Sequence, residues 1–392
     1  MRAVLLVTTT PRKNSEPGLP HRGIGHLEVL LSIWAAWNQS GLVGRPCGLS
    51  LTYGTTTRRT EWVLEMNTLE HNKKQVRGVE ITNLSGVSLS QAIGYFPNQL
   101  FEQEEVEAIA LFPDLCPGKS PLPTGCAVRF KRGAQYWREY AISDCGCGMQ
   151  LLQSSLTIDD FEPRKWDEVG FALQRNKGGL GDLGGGNHFL DAIVAQDDLK
   201  LSFLIHTGSR LESGLVDEYV DQPHRFETEF GRVVDWAKQN RDAVRESVAK
   251  VFGRLEIIAD IPHNTFEFVD DGRVVLRKGS VRANPGSLSI LPSSMTGQVA
   301  AVTATEAVSE CLNSLSHGTG RAVSRGDAKA ISAEFDFSQL RSQIYIPQFI
   351  QDSSLRSEIP ACYRTLDNCL ELIAPLVDVA RTYDVIAYLG HL

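Results

Sequence analysis

Leu315-Ser316-His317-Gly318-Thr319-Gly320-Arg321-Ala322-Val323-Ser324-Arg325 sets a histidine among small residues, with two arginines just downstream. Glycines let backbone N–H groups approach a ligand closely, arginines fork onto phosphate, and an imidazole beside them can take a phosphoryl or nucleotidyl group covalently. Alone, the stretch also fits a glycine-rich turn that follows a helix and exposes its arginines. What the remainder of the chain places around such a histidine decides between these readings.

The chain has 392 residues, enough for one large or two to three ordinary domains, and its 42% hydrophobic and 22% charged residues fit a soluble globular protein. A net charge of −8 excludes a surface that attracts nucleic acid as a whole, so any RNA contact needs a local basic patch. Eight cysteines are too sparse for a disulfide scaffold and point to a reducing, cytoplasmic protein. No targeting signal or membrane span is evident: the apolar start Ala3–Val7 runs into Thr8-Thr9-Thr10-Pro11, and Leu27–Trp37 is short and carries Glu28, as in a core or interfacial helix.

Residues 1–75 form an N-terminal extension of no recognisable role, with clustered threonines and three histidines (His21, His26, His71) lacking ligand-like neighbours; residues 76–392 carry the patterned part. Gln103–Ala110 reads as a short acidic helix, Leu111–Gly125 as a loop dense in proline and glycine, and Cys126–Phe130 as a strand. The basic group Arg129, Lys131, Arg132 and Arg138 is a candidate RNA patch or a solvated face. Val233–Phe252 has the spacing of an amphipathic scaffold helix, and Gln298–Leu315 reads as a helix feeding the opening motif.

Four of the nine histidines (His188, His206, His263, His317) lie in turns flanked by Gly, Asn or Ser, company that a core histidine does not need. Asp144-Cys145-Gly146-Cys147-Gly148 puts a carboxylate and a thiol three residues apart on a glycine turn. Its alternatives are an inert turn or a zinc knuckle joining Cys145 and Cys147 to Cys116 and Cys126, for which the C-x-x-C pairs are missing. The glycine run Gly178–His188 could cradle phosphate, although it is neither a P-loop nor a dinucleotide fingerprint. With Asp144 and Cys147 the histidines form an N/O/S donor set for a borderline divalent metal such as manganese, zinc, iron or cobalt.

Taken in order, Asp144–Met149, Gly185-Gly186-Asn187-His188-Phe189, His206–Arg210, His263-Asn264, Arg277–Ser280 and His317–Arg321 with Ser324-Arg325 resemble the RtcB-type RNA-splicing ligases from about residue 78 onward. The resemblance implies an α+β fold with mixed or antiparallel strands around a central metal and nucleotide cleft. It implies two manganese ions on Asp144, Cys147, His188, His206 and His263, with Cys147 bridging, and GTP held by Asn187, Asp191, Asn264, Ser294, Gly318, Gly320 and Tyr363. His317 is then the nucleophile that becomes guanylylated, and Arg210, Lys278, Arg321 and Arg325 face RNA and triphosphate oxygens. The implied partners are RNAs ending in a 3′-phosphate or 2′,3′-cyclic phosphate and a 5′-hydroxyl, joined in RNA repair or tRNA splicing, and an archease-like activator. The Pro113–Lys119 phrase looks most like the bacterial branch found beside release-factor-like proteins.

The chain departs from the family at Cys116, where histidine is usual, at Asp191 for glutamate, at Pro292–Gly297, and at the close Gly390-His391-Leu392, which lacks a lysine near the guanine. Competing readings are a non-ligating metal- and nucleotide-binding homologue and a metal-dependent RNA cyclic phosphodiesterase; neither needs the His317 nucleophile.

Overall fold

The computed structural model describes residues 3–5, 49–56, 59–66, 69–117, 121–141, 144–209, 212, 214–269 and 272–392, with side chains from Leu69 onward except those of Leu215 and Arg325. His21, His26 and the apolar run Leu27–Trp37 lie outside the described residues. The chain separates into two units, Met1–Thr68 and Leu69–Leu392. The first contains strands β1 (Ala3–Leu5), β2 (Leu49–Thr56) and β3 (Arg59–Met66), an antiparallel sheet in the order β1-β3-β2. Its clustered threonines, Thr52, Thr55, Thr56 and Thr60, fall on β2 and β3, where β-branched side chains suit a pleated surface.

In the second unit the strands are β4 (Lys73–Val76), β5 (Val79–Asn83), β6 (Val106–Cys116), β7 (Thr124–Phe130), β8 (Gly148–Thr157), β9 (Phe189–Ala195), β10 (Lys200–Thr207) and β11 (Glu256–Pro262). They continue as β12 (Asn264–Val269), β13 (Arg273–Lys278), β14 (Ser280–Arg282), β15 (Leu288–Pro292), β16 (Gln298–Ala304), β17 (Ser314–Ser316) and β18 (Val377–Gly390). Two large sheets result, β12-β13-β7-β6-β5-β4 and β11-β8-β10-β9-β18-β16-β15, with the small pair β14-β17 beside them. Pairing is antiparallel throughout except between β5 and β6, so the fold is α+β with mixed sheets. Because β4 pairs with β5, the second unit begins at Leu69 and takes in residues 69–75.

Two expected helices are strands, for one reason. Gln103–Ala110 and Leu111–Gly125 give way to β6, which buries Val106, Ile109 and Leu111 in one apolar cluster and Ala108, Ala110 and Phe112 in another. Within Gln298–Leu315, β16 likewise sends Val299 and Ala301 to one cluster and Ala300, Val302 and Ala304 to another, and a 3₁₀ turn (Glu306–Cys311) and β17 follow. A strand buried on both faces reads as a continuous apolar run, which periodicity alone does not distinguish from a helix.

The long helix Pro223–Phe252 ties the unit together. Its first half packs Phe226, Phe230 and Val233 on the six-stranded sheet's cluster, and its second half packs Val244, Val248 and Phe252 on the seven-stranded sheet's cluster. Burying each such side chain contributes roughly 2 kcal/mol. Proline at its first turn and Gly253 at its end, with φ +83, bound it.

Candidate active site

Antiparallel pairing in the seven-stranded sheet gathers the candidate ligands at one end of four neighbouring strands. Cys147 immediately precedes β8, His188 immediately precedes β9, His206 lies at the end of β10, and His263 follows β11. Registers Met149↔His206↔Phe189 and Gly148↔Pro262 bring those ends level. Along β10, Leu201, Phe203 and Ile205 point into one core and Leu204 into the other; the two-residue period puts His206 on Leu204's side, facing the cleft.

The side chains converge. Cys147 Sγ lies 3.3 Å from His188 Nε2 and 3.4 Å from His206 Nε2; His188 Nε2 is 3.3 Å from Asp144 Oδ2, and His206 Nε2 is 3.3 Å from His263 Nε2. Two triplets result, Asp144–Cys147–His188 and Cys147–His206–His263, each with its donor atoms within 4.8 Å of one another and both using Cys147. Burial pushes the Cys147 thiol well above its usual range, with Asp144's carboxylate adding to the effect. Burial likewise holds His206 and His263 well below the ordinary imidazole range, leaving both neutral. Neutral imidazole nitrogens and a sulfur aimed at one another gain little unless a cation sits among them, and a divalent ion would convert the thiol to thiolate. The donors therefore fit a pair of borderline divalent cations.

Local backbone chemistry fixes this shape. Asp144 takes a left-handed φ of 47°, held by Ser209 N–H on Oδ1 at 3.2 Å and Asn264 Nδ2 on its carbonyl at 3.0 Å. A Cβ at Gly208 would lie 2.5 Å from Asp144 Oδ1 and 2.8 Å from Cys147 Cβ, so the turn after His206 requires glycine. His188 Nδ1 lies 3.1 Å from the Leu183 carbonyl, an acceptor only, so Nδ1 carries the proton and Nε2 is free for a cation.

The six-stranded sheet supplies the other wall. Asp114, near the end of β6 and 1% exposed, sets Oδ2 2.5 Å from His317 Nδ1, and the Gly279 carbonyl is 2.6 Å from the same nitrogen. Both neighbours accept, so the proton resides on Nδ1 and Nε2 keeps its lone pair. The His317 ring centroid is 4.4 Å from that of His263 and 5.9 Å from that of His206. Gly320 has φ +77, and a Cβ there would stand 2.3 Å from Asp114 Cα; glycine is what lets the two segments meet. Asp114 was not singled out from the sequence, because it sits in the stretch read as a loop. A lone carboxylate inside an otherwise apolar run was the available signal.

Asp114, Asp144, Cys147, His206, His263 and His317 line one cleft of about 1070 Å³, also lined by Asn187, Asp191, Asn264, Lys278, Ser294, Gly318, Gly320, Arg321 and Tyr363. Cys116, the departure in the Pro-rich segment, lines it too. Asn264's amide is engaged locally, donating to Asp144 O and accepting from Gly279 N–H at 2.8 Å. Burial pulls the Lys278 ammonium below its usual value, against the nearby Asp144. Arg321 lies over the Tyr363 ring at 5.1 Å and donates to Glu358 and the Tyr363 hydroxyl, each at 3.3 Å. Arg210 and the Arg325 side chain lie outside the described residues.

Three readings are revised. Four amides of the glycine run are engaged within the protein rather than offered to a phosphate: Gly178 N–H and Gly184 N–H both donate to the Asp182 carboxylate at 2.8 Å, Gly179 N–H donates to Asn176 O, and Gly181 N–H donates to Asn240. The basic group is largely spent within the protein, Arg129 on Glu107 at 3.2 Å and buried Arg138 on Glu227 at 3.3 Å. No zinc knuckle assembles: among the described residues Cys116, Cys126 and Cys145 join no metal-ligating group, and Cys126 and Cys145 donate to backbone carbonyls.

The chain is similar in sequence to known RNA ligases. A family model described as tRNA-splicing ligase RtcB matches residues 220–388. RNA-splicing ligase RtcB2 of Escherichia coli (strain ATCC 25922) is 25% identical over 336 residues, covering 72% of this chain and 87% of the relative. RNA-splicing ligase RtcB of E. coli K12 is 24% identical over 371 residues, covering 70% and 88%. The tRNA-splicing ligase RtcB of Thermococcus kodakarensis is 28% identical over 277 residues, covering 52% and 57%.

Proposed function

We propose that this chain is a member of the RtcB-type ligase family and, within it, a GTP- and manganese-dependent RNA ligase joining 3′-phosphate or 2′,3′-cyclic phosphate ends to 5′-hydroxyl ends. The observation that carries this reading is His317: its Nδ1 is tied to Asp114 and Gly279 O, and it lines the same cleft as the candidate donors Asp144, Cys147, His206 and His263. Neither binding alone nor hydrolysis alone calls for a histidine so prepared.

In this reading His317 Nε2 forms a bond to the α-phosphorus of GTP while the bond from that phosphorus to the bridging oxygen breaks, and pyrophosphate departs with the electron pair. The proton stays on Nδ1, and the Asp114 carboxylate offsets the positive charge that the ring acquires. An oxygen of the RNA 3′-phosphate next attacks the histidine-bound phosphorus and Nε2 leaves. The 5′-hydroxyl then attacks the activated 3′-phosphate, losing its proton, and GMP leaves as the new phosphodiester forms. Manganese ions held by Asp144, Cys147, His188, His206 and His263 would supply charge that offsets the phosphate oxygens.

Half-buried Lys278 adds a positive charge on the wall bearing Asp144 and His317, and Asn187, Ser294, Gly318 and Gly320 line the cleft a triphosphate would occupy. Asp191 and Tyr363 line the same cleft and are assigned to the guanine end. Arg321, with Arg210 and Arg325, is assigned to phosphate oxygens. A reducing, cytoplasmic setting is part of the reading; none of the described cysteines forms a disulfide. No helix among the described residues is long and apolar enough to cross a membrane.

The test is joining of two synthetic RNAs, one ending in a 3′-phosphate and the other beginning with a 5′-hydroxyl. Joined product is expected only with both Mn²⁺ and GTP present. Joining without GTP, or an unchanged rate for His317→Ala, would remove the nucleotidyl-histidine route.

A further inference from the structure

Asn240 and Arg241 sit at the middle of the long helix, between the turns that pack on the two sheets' cores, and they are 1% and 2% exposed. Adjacent polar residues at mid-helix ordinarily face water; a buried amide and guanidinium are retained only if their hydrogen bonds are made. Their side-chain hydrogen bonds run to segments that carry candidate ligands. Asn240 Oδ1 accepts from Gly181 N–H at 2.6 Å, and Nδ2 donates to Asp182 O at 2.9 Å, Thr207 Oγ1 at 3.2 Å and Gly208 O at 3.3 Å. Arg241 Nε donates to Asp260 Oδ1 at 2.7 Å, and Nη1 donates to Gly146 O at 3.0 Å and, at the longer 3.5 Å, to Thr207 O.

Gly146, Thr207, Gly208 and Asp260 are each one to three residues from a candidate ligand, and Gly181 and Asp182 belong to the glycine run that leads into His188. Gly146 O belongs to the peptide that joins Cys147, Thr207 follows His206, and Asp260 on β11 lies three before His263. The glycine run reaches His188 through a relay in which the Thr207 hydroxyl donates to Leu183 O at 2.8 Å, the same carbonyl that receives His188 Nδ1. The two residues thus contact all four ligand-bearing segments at once, from the one helix that spans both cores.

We propose that Asn240 and Arg241 are positioning residues for the metal pair: they set the separation of the Asp144–Cys147 loop, His188, His206 and His263. This inference rests on reading the two donor triplets as metal sites. Hydrogen-bonding partners behind metal ligands typically govern affinity by about 10- to 100-fold. Rigid seating matters most for Cys147, which both triplets share.

The experiment loads the intact protein, Asn240→Asp and Arg241→Lys with Co²⁺, and follows the thiolate-to-cobalt absorption and the two dissociation constants. Circular dichroism and the melting temperature of the metal-free proteins are read in parallel, and titrations are made where every variant is fully folded. Asp keeps an acceptor for Gly181 N–H but loses the three donations; Lys keeps the charge but cannot fork between Asp260 and Gly146 O. Both variants are expected to fold, to bind at least one Co²⁺ about 10-fold or more weakly, and to show an altered thiolate band. Lowered melting temperatures with unchanged cobalt affinity and spectrum would make the pair purely structural and overturn the proposal. A wild-type protein that binds no Co²⁺ would instead remove the metal reading itself, and this inference with it.

Discussion

The two ends of the cleft are completed in different ways. At the metal end, five donors from four strand ends are aimed at one another, and burial keeps His206, His263 and the Cys147 thiol neutral. At the other end, polar groups are matched within the protein: Arg321 pairs with Glu358, Tyr363 donates to Glu358, and burial holds the Asp191 carboxyl and the Tyr388 hydroxyl in their neutral forms by raising both well above their usual values. The first end needs an outside charge to be stable in its observed shape. The second is largely balanced within the protein, so what binds there must exchange hydrogen bonds with existing pairs, as phosphate oxygens would in drawing Arg321 from Glu358.

The largest effect that separates the ends is expected from Cys147→Ala. Because both triplets use that sulfur, it should abolish binding of both ions, whereas His188→Ala and His263→Ala should each weaken mainly one; metal stoichiometry after gel filtration reads the difference. Equal loss of one ion in all three variants would break the shared-ligand account. Next comes Asp114→Asn, which leaves the metal ligands in place but removes the carboxylate on His317 Nδ1. Nucleotide transfer to the protein should slow by about 100-fold or more, with both ions still bound.

The smallest effect belongs to the balanced end. Asp191 has Oδ1 unpartnered and buried, and its carboxyl is raised from 3.8 by loss of water. The unfolded chain releases this proton near 3.8 while the folded chain keeps it, so the group lowers stability as pH rises from there until the folded value is passed. The slope is at most about 1.4 kcal/mol per pH unit. Asp191→Asn, which imitates the neutral carboxyl, should remove that slope in urea titrations between weakly acidic and neutral pH. It should also change GTP affinity by less than about tenfold. A steeper slope in the variant would contradict a neutral Asp191.

The same contrast governs what the sequence made legible. The metal end was readable because each ligand sits in a short glycine- or asparagine-rich turn of its own, where no core packing explains the residues. His206 at the end of an apolar strand and Cys147 on its glycine turn were singled out as candidates without tertiary information, and the structure brings them within 3.4 Å of each other; the α+β class came with the family resemblance. Asp114 was hidden because β6 is apolar on both faces and was divided into a helix and a loop. Asn240 and Arg241 were hidden because polar residues on an amphipathic helix normally mark its wet side, and only their burial shows otherwise. The glycine run misled in the opposite direction: its spare amides are satisfied by Asp182, four residues from Gly178 and two from Gly184.

The most direct measurement is incubation with Mn²⁺ and GTP labelled at the α-phosphate, followed by denaturing electrophoresis of the wild-type protein and His317→Ala. An acid-labile label on the wild-type chain, absent from the variant and absent when the label is at the γ-phosphate, is the expected result. No label with any nucleoside triphosphate under any divalent metal, or a label that persists in His317→Ala, would contradict the assignment of His317 as the nucleophile.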